Sequence, residues 1–196
     1  MALNDLEFDL ATTGTPVEGG SVYIDLTGTA TAPSNASTTL GTGWVSLGEE
    51  SDQGYTIKHS MNSTTHRGWH GKPIITDITD ETNTFSVEFV EVNRGTVAKL
   101  RFGSGNVTTN SNGEVTAITA KSGAITSHPM VFEELESNGW KRRTYFPDAI
   151  ITSIDDEPHR RGDLLVWGMT FTANEDDTNG AYRVFRSAPT GATGQS

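Results

Sequence analysis

A mainly β domain, with two antiparallel sheets packed as a sandwich or barrel and one flanking α-helix, is the fold class this sequence predicts. Three observations carry it. Short segments rich in Val, Ile, Phe and Thr recur along the chain, and the clearest alternate apolar with polar residues at the two-residue period of a half-buried strand. Turn pairs separate them at Asn112-Gly113, Asn138-Gly139 and Asn179-Gly180. A single stretch, residues 93–102, carries helix signals.

The elements follow in chain order. Small and polar residues dominate 12–20 and 28–43 and read as loops or an arm, bracketing a short strand at 22–26. Trp44, Val45 and Leu47 mark a second strand, and residues 55–59 a third. Residues 60–80 are polar, with Gly68, Gly71 and Pro73 as breakers. They are expected to form a long loop or an extended hairpin, with Trp69 as its anchor and Ile74, Ile75 and Ile78 as its core contributions. In residues 84–90, Phe85, Val87 and Phe89 alternate with Thr84, Ser86 and Glu88, so one face is core.

Asn93 can cap the helix that follows. Lys99 and Arg101 suit its C-terminal dipole, and Gly103 supplies a positive-φ stop. Ten residues make a marginal helix alone, so it must pack on a sheet through Val97, Leu100 and Phe102. Further strands are expected at 115–120, 129–135, 141–146, 149–154, 164–173 and 181–186. The type I′ hairpin is the turn that Asn-Gly favours. With 196 residues, the chain divides into an N-terminal arm (1–21), one β domain (22–187, with its long loop region at 48–81 and helix at 93–102) and a flexible tail (188–196).

Composition removes several functions. Lys and Arg number 14 against 25 Asp and Glu, a formal charge of -11, which argues against a surface that holds nucleic acid but suits one past which a polyanion slides. Cysteine is absent, which excludes disulfides, thiolate metal sites and cysteine nucleophiles. Nothing resembles a secretory signal or a membrane span.

The residues that could carry chemistry do not assemble into motifs. His59, His66 and His70 lack a metal-ligand pattern and read as surface histidines. The acidic groups 155–157 and 175–177 lack the ligand spacing of a calcium loop and read as solvated turns. Gly103-Ser104-Gly105 follows the helix, whereas a phosphate cradle precedes one. Lys141, Arg142, Arg143, Arg160 and Arg161 lie near acidic residues and read as intersubunit or intrastrand ion pairs. No nucleophile elbow is present. No catalytic residue, metal or cofactor is expected.

One region goes further. Gly43-Trp44, the segment 47–55, the Thr- and Trp-containing stretch 64–71, the Phe-rich strand 85–89 and the Leu100-Arg101-Phe102-Gly103 ending occur in an order that resembles the major tail proteins of siphophages, especially those infecting actinobacteria. The resemblance covers about a third of the chain and rests on order and spacing. It implies a phage tail tube fold and a non-enzymatic structural subunit that forms hexameric rings, stacked around a channel through which DNA passes without specific binding. It also implies a place in the virion tail, assembly in the host cytoplasm, no membrane contact, and tape measure, tail terminator and distal tail proteins as partners.

On that reading the 60–80 region is expected to contact the next ring through Thr65, His66, Arg67, Trp69, His70 and Lys72. The polar parity of the amphipathic strands, Thr84, Ser86 and Glu88 with Thr170 and Thr172, is expected to line the channel. The alternative is a phage adhesin or capsid decoration sandwich that binds a receptor or glycan through exposed aromatics such as Trp69 and Trp140.

Overall fold

A computed structural model of the protein describes residues 14–16 and 21–189. The expected N-terminal arm lies outside the described residues except at 14–16 and 21, as does the expected tail from residue 190 onward. The fold is mainly β, with two antiparallel sheets and one α-helix.

The strands are β1 (Gly14–Pro16), β2 (Val22–Ile24), β3 (Val45–Gly48), β4 (Glu50–Arg67), β5 (Pro73–Phe89), β6 (Val107–Thr109), β7 (Val115–Ile118), β8 (His128–Glu136), β9 (Lys141–Ile154), β10 (Trp167–Ala173) and β11 (Arg183–Ser187). The helix α1 spans Gly95–Phe102. Nine strands form one sheet in the order β3-β2-β8-β9-β10-β5-β4, with β1 joined to β8 and β11 to β9; β6 and β7 form the second sheet.

The large sheet folds over on itself because β9 is long enough to serve two layers. Its first half pairs with β8 and β11, and its second half pairs with β10. Residues 141–146 and 149–154, expected as two strands, are therefore one. Phe85 of β5 stacks on Phe146 of β9 with ring centroids 4.0 Å apart, and Tyr55 of β4 stacks on Phe132 of β8 at 4.2 Å. Neither strand pair is hydrogen-bonded, so these contacts cross between layers. The predicted alternation of Phe85, Val87 and Phe89 is the core side of β5, and Trp167, Met169, Phe171 and Ala173 are the core side of β10.

The helix is two residues shorter than predicted and is capped differently. Arg94 occupies the N-cap position without a side-chain cap, and the carbonyl of Asn93 instead accepts a 3.0 Å hydrogen bond from the amide of Val115. Gly103 does end the helix, with φ of 84° and its amide donating to the Lys99 carbonyl at 2.8 Å. Val97 and Leu100 are buried in the core, while Phe102 is half-buried and meets Trp167 edge-on at 5.6 Å.

The Asn-Gly turns differ from the type I′ expectation. Gly113, Gly139 and Gly180 have positive φ, but no described non-glycine residue does, so the preceding asparagines stay in ordinary backbone regions. The first two turns close from Gly113 to Asn110 (3.1 Å) and from Gly139 to Glu136 (2.8 Å). Side-chain carbonyls brace them: Asn110 Oδ1 accepts from the Asn112 amide, and Asn138 Oδ1 accepts from the Trp140 amide. Those local bonds favour a wider turn with glycine last.

Candidate assembly surfaces

The region expected as a loop or hairpin is a hairpin arm. β4 and β5 stay paired from Tyr55↔Val87 out to Arg67↔Pro73. β10 pairs with β5 only from Asn83 to Phe89, so beyond Asn83 the arm has two strands and two free edges. From residue 58 to 81 every residue but Gly68 is exposed. Trp69 is not an anchor: at 99% exposure it sits in the turn without cover. Ile74, Ile75 and Ile78 are exposed too, as is Met61, so none joins the core.

Polar cross-strand contacts hold the arm in register. Thr65 and Thr76 share a 3.1 Å hydrogen bond, His66 Nε2 lies 3.3 Å from Asp77, and Arg67 donates to the Gly71 carbonyl at 3.0 Å to close the tip. Of the six predicted inter-ring residues, Thr65, His66 and Arg67 end β4, and Trp69, His70 and Lys72 occupy the turn. The structure brings them together at the tip.

The five predicted channel residues also fall on one surface. Thr170 is opposite Ser86, Thr172 is opposite Thr84, and Glu88 is opposite Gly168, all on the side of β5 and β10 that faces away from the core. Thr56 and Lys58 of β4 extend this face opposite Ser86 and Thr84. Thr152 of β9 completes it, accepting from the Thr172 hydroxyl at 3.3 Å. The Asp155 carboxylate lies over Gly168, where a Cβ would meet it at 2.3 Å. The surface is mostly threonine, and Glu88 and Asp155 outweigh Lys58.

A third surface was not legible in the sequence. The 26–44 loop covers the outer face of β8 and β9, held by Arg143. That guanidinium donates from Nη1 to the Asn35 carbonyl (2.6 Å), from Nη2 to the Thr38 carbonyl (2.9 Å) and from Nε to Glu133 (2.7 Å). The Trp44 indole donates to the Thr31 carbonyl at 3.0 Å and meets Tyr145 edge-on. Beneath this loop is a cavity of about 240 Å³, with Tyr23, Leu40 and Trp44 among its apolar walls. Arg142 and Arg143 pair with Glu134 and Glu133 across β8 and β9, so those ion pairs lie between strands of one subunit.

Another arginine fixes the 155–163 loop. Arg101 lies over the Trp167 ring at 4.6 Å and pairs with Glu157 at 2.9 Å. Burial opposes ionisation of Glu157, but the nearby Trp167 indole and the paired Arg101 guanidinium hold its carboxyl below the ordinary range. It is a structural ion pair, more than the solvated turn expected there. Among the described residues no cluster of His, Asp and Glu is arranged to hold a metal ion.

A mostly polar hairpin arm with several bare apolar side chains, a continuous polar sheet face and a walled cavity are the surfaces the fold presents. Residues 1–193 match the family model described as Phage tail tube protein. The chain belongs to that family.

Membership makes it a structural component of a phage tail and gives the folded-over sheet its class, a tail tube fold. Solved structures similar to this tail tube family member include the tube-terminating cap of the anti-feeding prophage (11% identity, TM-score 0.44, covering 95% of this chain and 100% of that one). Two others are the extended sheath-tube complex of the extracellular contractile injection system PVC (9% identity, TM-score 0.39, 95% and 99%) and the virion of a native gene transfer agent particle (12% identity, TM-score 0.38, 76% and 92%). No curated protein sequence matches the chain.

Proposed function

We propose that the chain is a non-enzymatic wall subunit that closes into hexameric rings, and that the rings stack into a tube through which DNA leaves the virion. The observation that carries this reading is the arm. A two-stranded hairpin with both edges free is marginal in water, and the exposed apolar side chains of Met61, Trp69, Ile74, Ile75 and Ile78 mark it for contact with another protein. A repeated head-to-tail contact between copies covers such an arm and leaves a copy of it for the next ring.

The threonine-rich face of β4, β5, β10 and β9 lines the channel in this reading, with Thr84, Ser86, Glu88, Thr170 and Thr172 at its centre. Its few charges, acidic on balance, offer phosphates no cationic grip. Assembly takes place in the host cytoplasm, without membrane contact, with tape measure, tail terminator and distal tail proteins as tail partners. The flexible siphophage tail is the setting that the sequence resemblance favours.

Deleting residues 65–72 tests the reading. The shortened chain is expected to fold, since those residues are exposed, and to form single rings or short stacks where the full chain forms hollow filaments in negative-stain microscopy. Filaments of unchanged length from the deletion variant would count against an inter-ring arm. A full-length chain that remains a small defined oligomer at high concentration would favour the adhesin alternative.

A further inference from the structure

We propose that the outer half of the arm belongs to the channel wall. Asn62, Thr64, Asp77 and Asp80 face the channel, and Met61 and Ile78, on the opposite side, seat the arm on the adjacent copy in the stack. The inference rests on the stacking reading and assigns the two faces of the arm.

Strand register makes the assignment. Successive side chains of a strand alternate between faces, and residues directly opposite each other share one. At the root, Tyr55 and Ile57 lie opposite Val87 and Phe85 on the core side, while Thr56 and Lys58 lie opposite Ser86 and Thr84 on the other. From Tyr55 to Arg67 the extra residue at each register shift falls on β5. Met61, Ser63 and Thr65 therefore continue the core side, and Asn62, Thr64 and His66 continue the channel side. On β5, Thr79 is an extra residue between Asp80, opposite Asn62, and Ile78, opposite Ser63. Its hydroxyl donates to the Asn62 carbonyl at 3.2 Å. This bulge puts Ile78 on the side of Met61 and both Asp77 and Asp80 on the side of Thr64; an unbroken strand would exchange Ile78 with Asp77. The cross-strand contacts agree. Asn62 meets Asp80 at 3.4 Å and His66 meets Asp77 at 3.3 Å on one face, and Thr65 bonds to Thr76 on the other.

The two faces differ in kind. The channel-side strip, with Ile75 opposite His66 as its apolar exception, extends the surface of Thr84, Ser86 and Glu88 along the arm without a break. Asp77 and Asp80 give it the acidic character of Glu88, which offers a passing polyanion no grip. The other side carries Met61 and Ile78 among Ser63, Thr65 and Thr76, with Glu81 across from Met61 toward the root. At the root, β8 and β9 cover that side, where Tyr55 stacks on Phe132 and Phe85 on Phe146. Farther out, residues 58–81 other than Gly68 are exposed, so the body of the same chain does not reach them. A strip of wall that rises above its own body stands at the level of the adjacent ring, and a second copy is what backs it there.

The chain contains no cysteine, so adjacent positions on opposite faces can be compared directly. Ser63→Cys and Thr64→Cys, both exposed in the subunit, are prepared as separate full-length proteins. Each is treated with N-ethylmaleimide, and with maleimide on a polymer too wide for the channel, first as dispersed subunits and then as filaments. Both cysteines are expected to react with either reagent in dispersed subunits. In filaments, Ser63→Cys is expected to lose its reaction with both reagents, whereas Thr64→Cys keeps its reaction with the small one and loses it with the polymer. Thr65→Cys and Asn62→Cys repeat the comparison one position along each strip, should either first variant fail to assemble. A Ser63→Cys side that stays reactive in filaments, or a Thr64→Cys side closed to the small reagent or open to the polymer, would overturn the face assignment and leave the stacking reading standing. Filaments unaffected by deletion of residues 65–72 would overturn both.

Discussion

At the scale of single residues, stability is concentrated where burial and pairing coincide. Leu100 is 3% exposed on a helix of eight residues, too short to hold itself together, so its contact with the core is what fixes α1. Leu100→Ala is expected to cost about 2–5 kcal/mol, the range for truncating a buried leucine, read as a lowered urea midpoint. Glu50 behaves in the opposite sense. Its Oε1 accepts from Ser21 at 2.9 Å, but its buried Oε2 has no partner, and burial together with the nearby Glu134 and Glu49 charges raises its pKa. A carboxyl whose folded pKa is raised destabilises the fold above that pKa, and this penalty disappears as pH falls below the unfolded value. Glu50→Gln is therefore expected to raise the melting temperature at pH 7, by roughly 2–4 °C if the relief is about 1 kcal/mol. At pH 4 the difference is expected to shrink; an equal gain at both pH values would remove ionisation as its cause.

At the scale of elements, the arm separates assembly from folding. Met61, Ile74 and Ile78 are exposed in the subunit, so replacing all three with threonine removes little that the fold uses. The triple variant is expected to unfold within about 0.5 kcal/mol per substitution of the parent, as surface changes usually do, yet to lose filaments under conditions where the parent forms them. Calorimetry on dispersed subunits and microscopy on concentrated ones measure the two effects separately. A large fall in subunit stability would mean that the arm packs on its own body. The Arg101 contact with Trp167 and Glu157 and the Arg143 clamp do the converse work. Each fastens a long loop to a strand of the body, so both loops present fixed surfaces to whatever meets them.

At the scale of the whole molecule, the fold keeps one sheet face for the core and leaves another for the channel in the proposed assembly. Glu88 lies on the second face, in register with the threonines of β10. Glu88→Lys is expected to leave filament formation unchanged and to slow DNA release, because each cation reaching a phosphate adds an attachment that must be broken as the genome moves. The delay should diminish as salt rises, since counterions compete for the same phosphates. Release at the wild-type rate at low salt would place this face away from DNA.

The sequence by itself determined which residues are core along β5 and β10, because a half-buried strand writes its two faces into alternate positions: Phe85, Val87 and Phe89, then Trp167, Met169 and Phe171. It also determined that one helix would end at Gly103 and that the channel candidates share a parity. Tertiary structure alone decided what those elements do together. The arm escaped a definite reading because its isoleucines are exposed where isolated apolar residues normally signal burial, and their occupant is proposed to be another copy. The Arg143 clamp was invisible because its acceptors are backbone carbonyls more than 100 residues away, and a carbonyl has no letter in the sequence. The capping of α1 and the shape of the Asn-Gly turns were settled by hydrogen bonds that compete with local preference, and which bond prevails depends on the strands that the fold brings alongside.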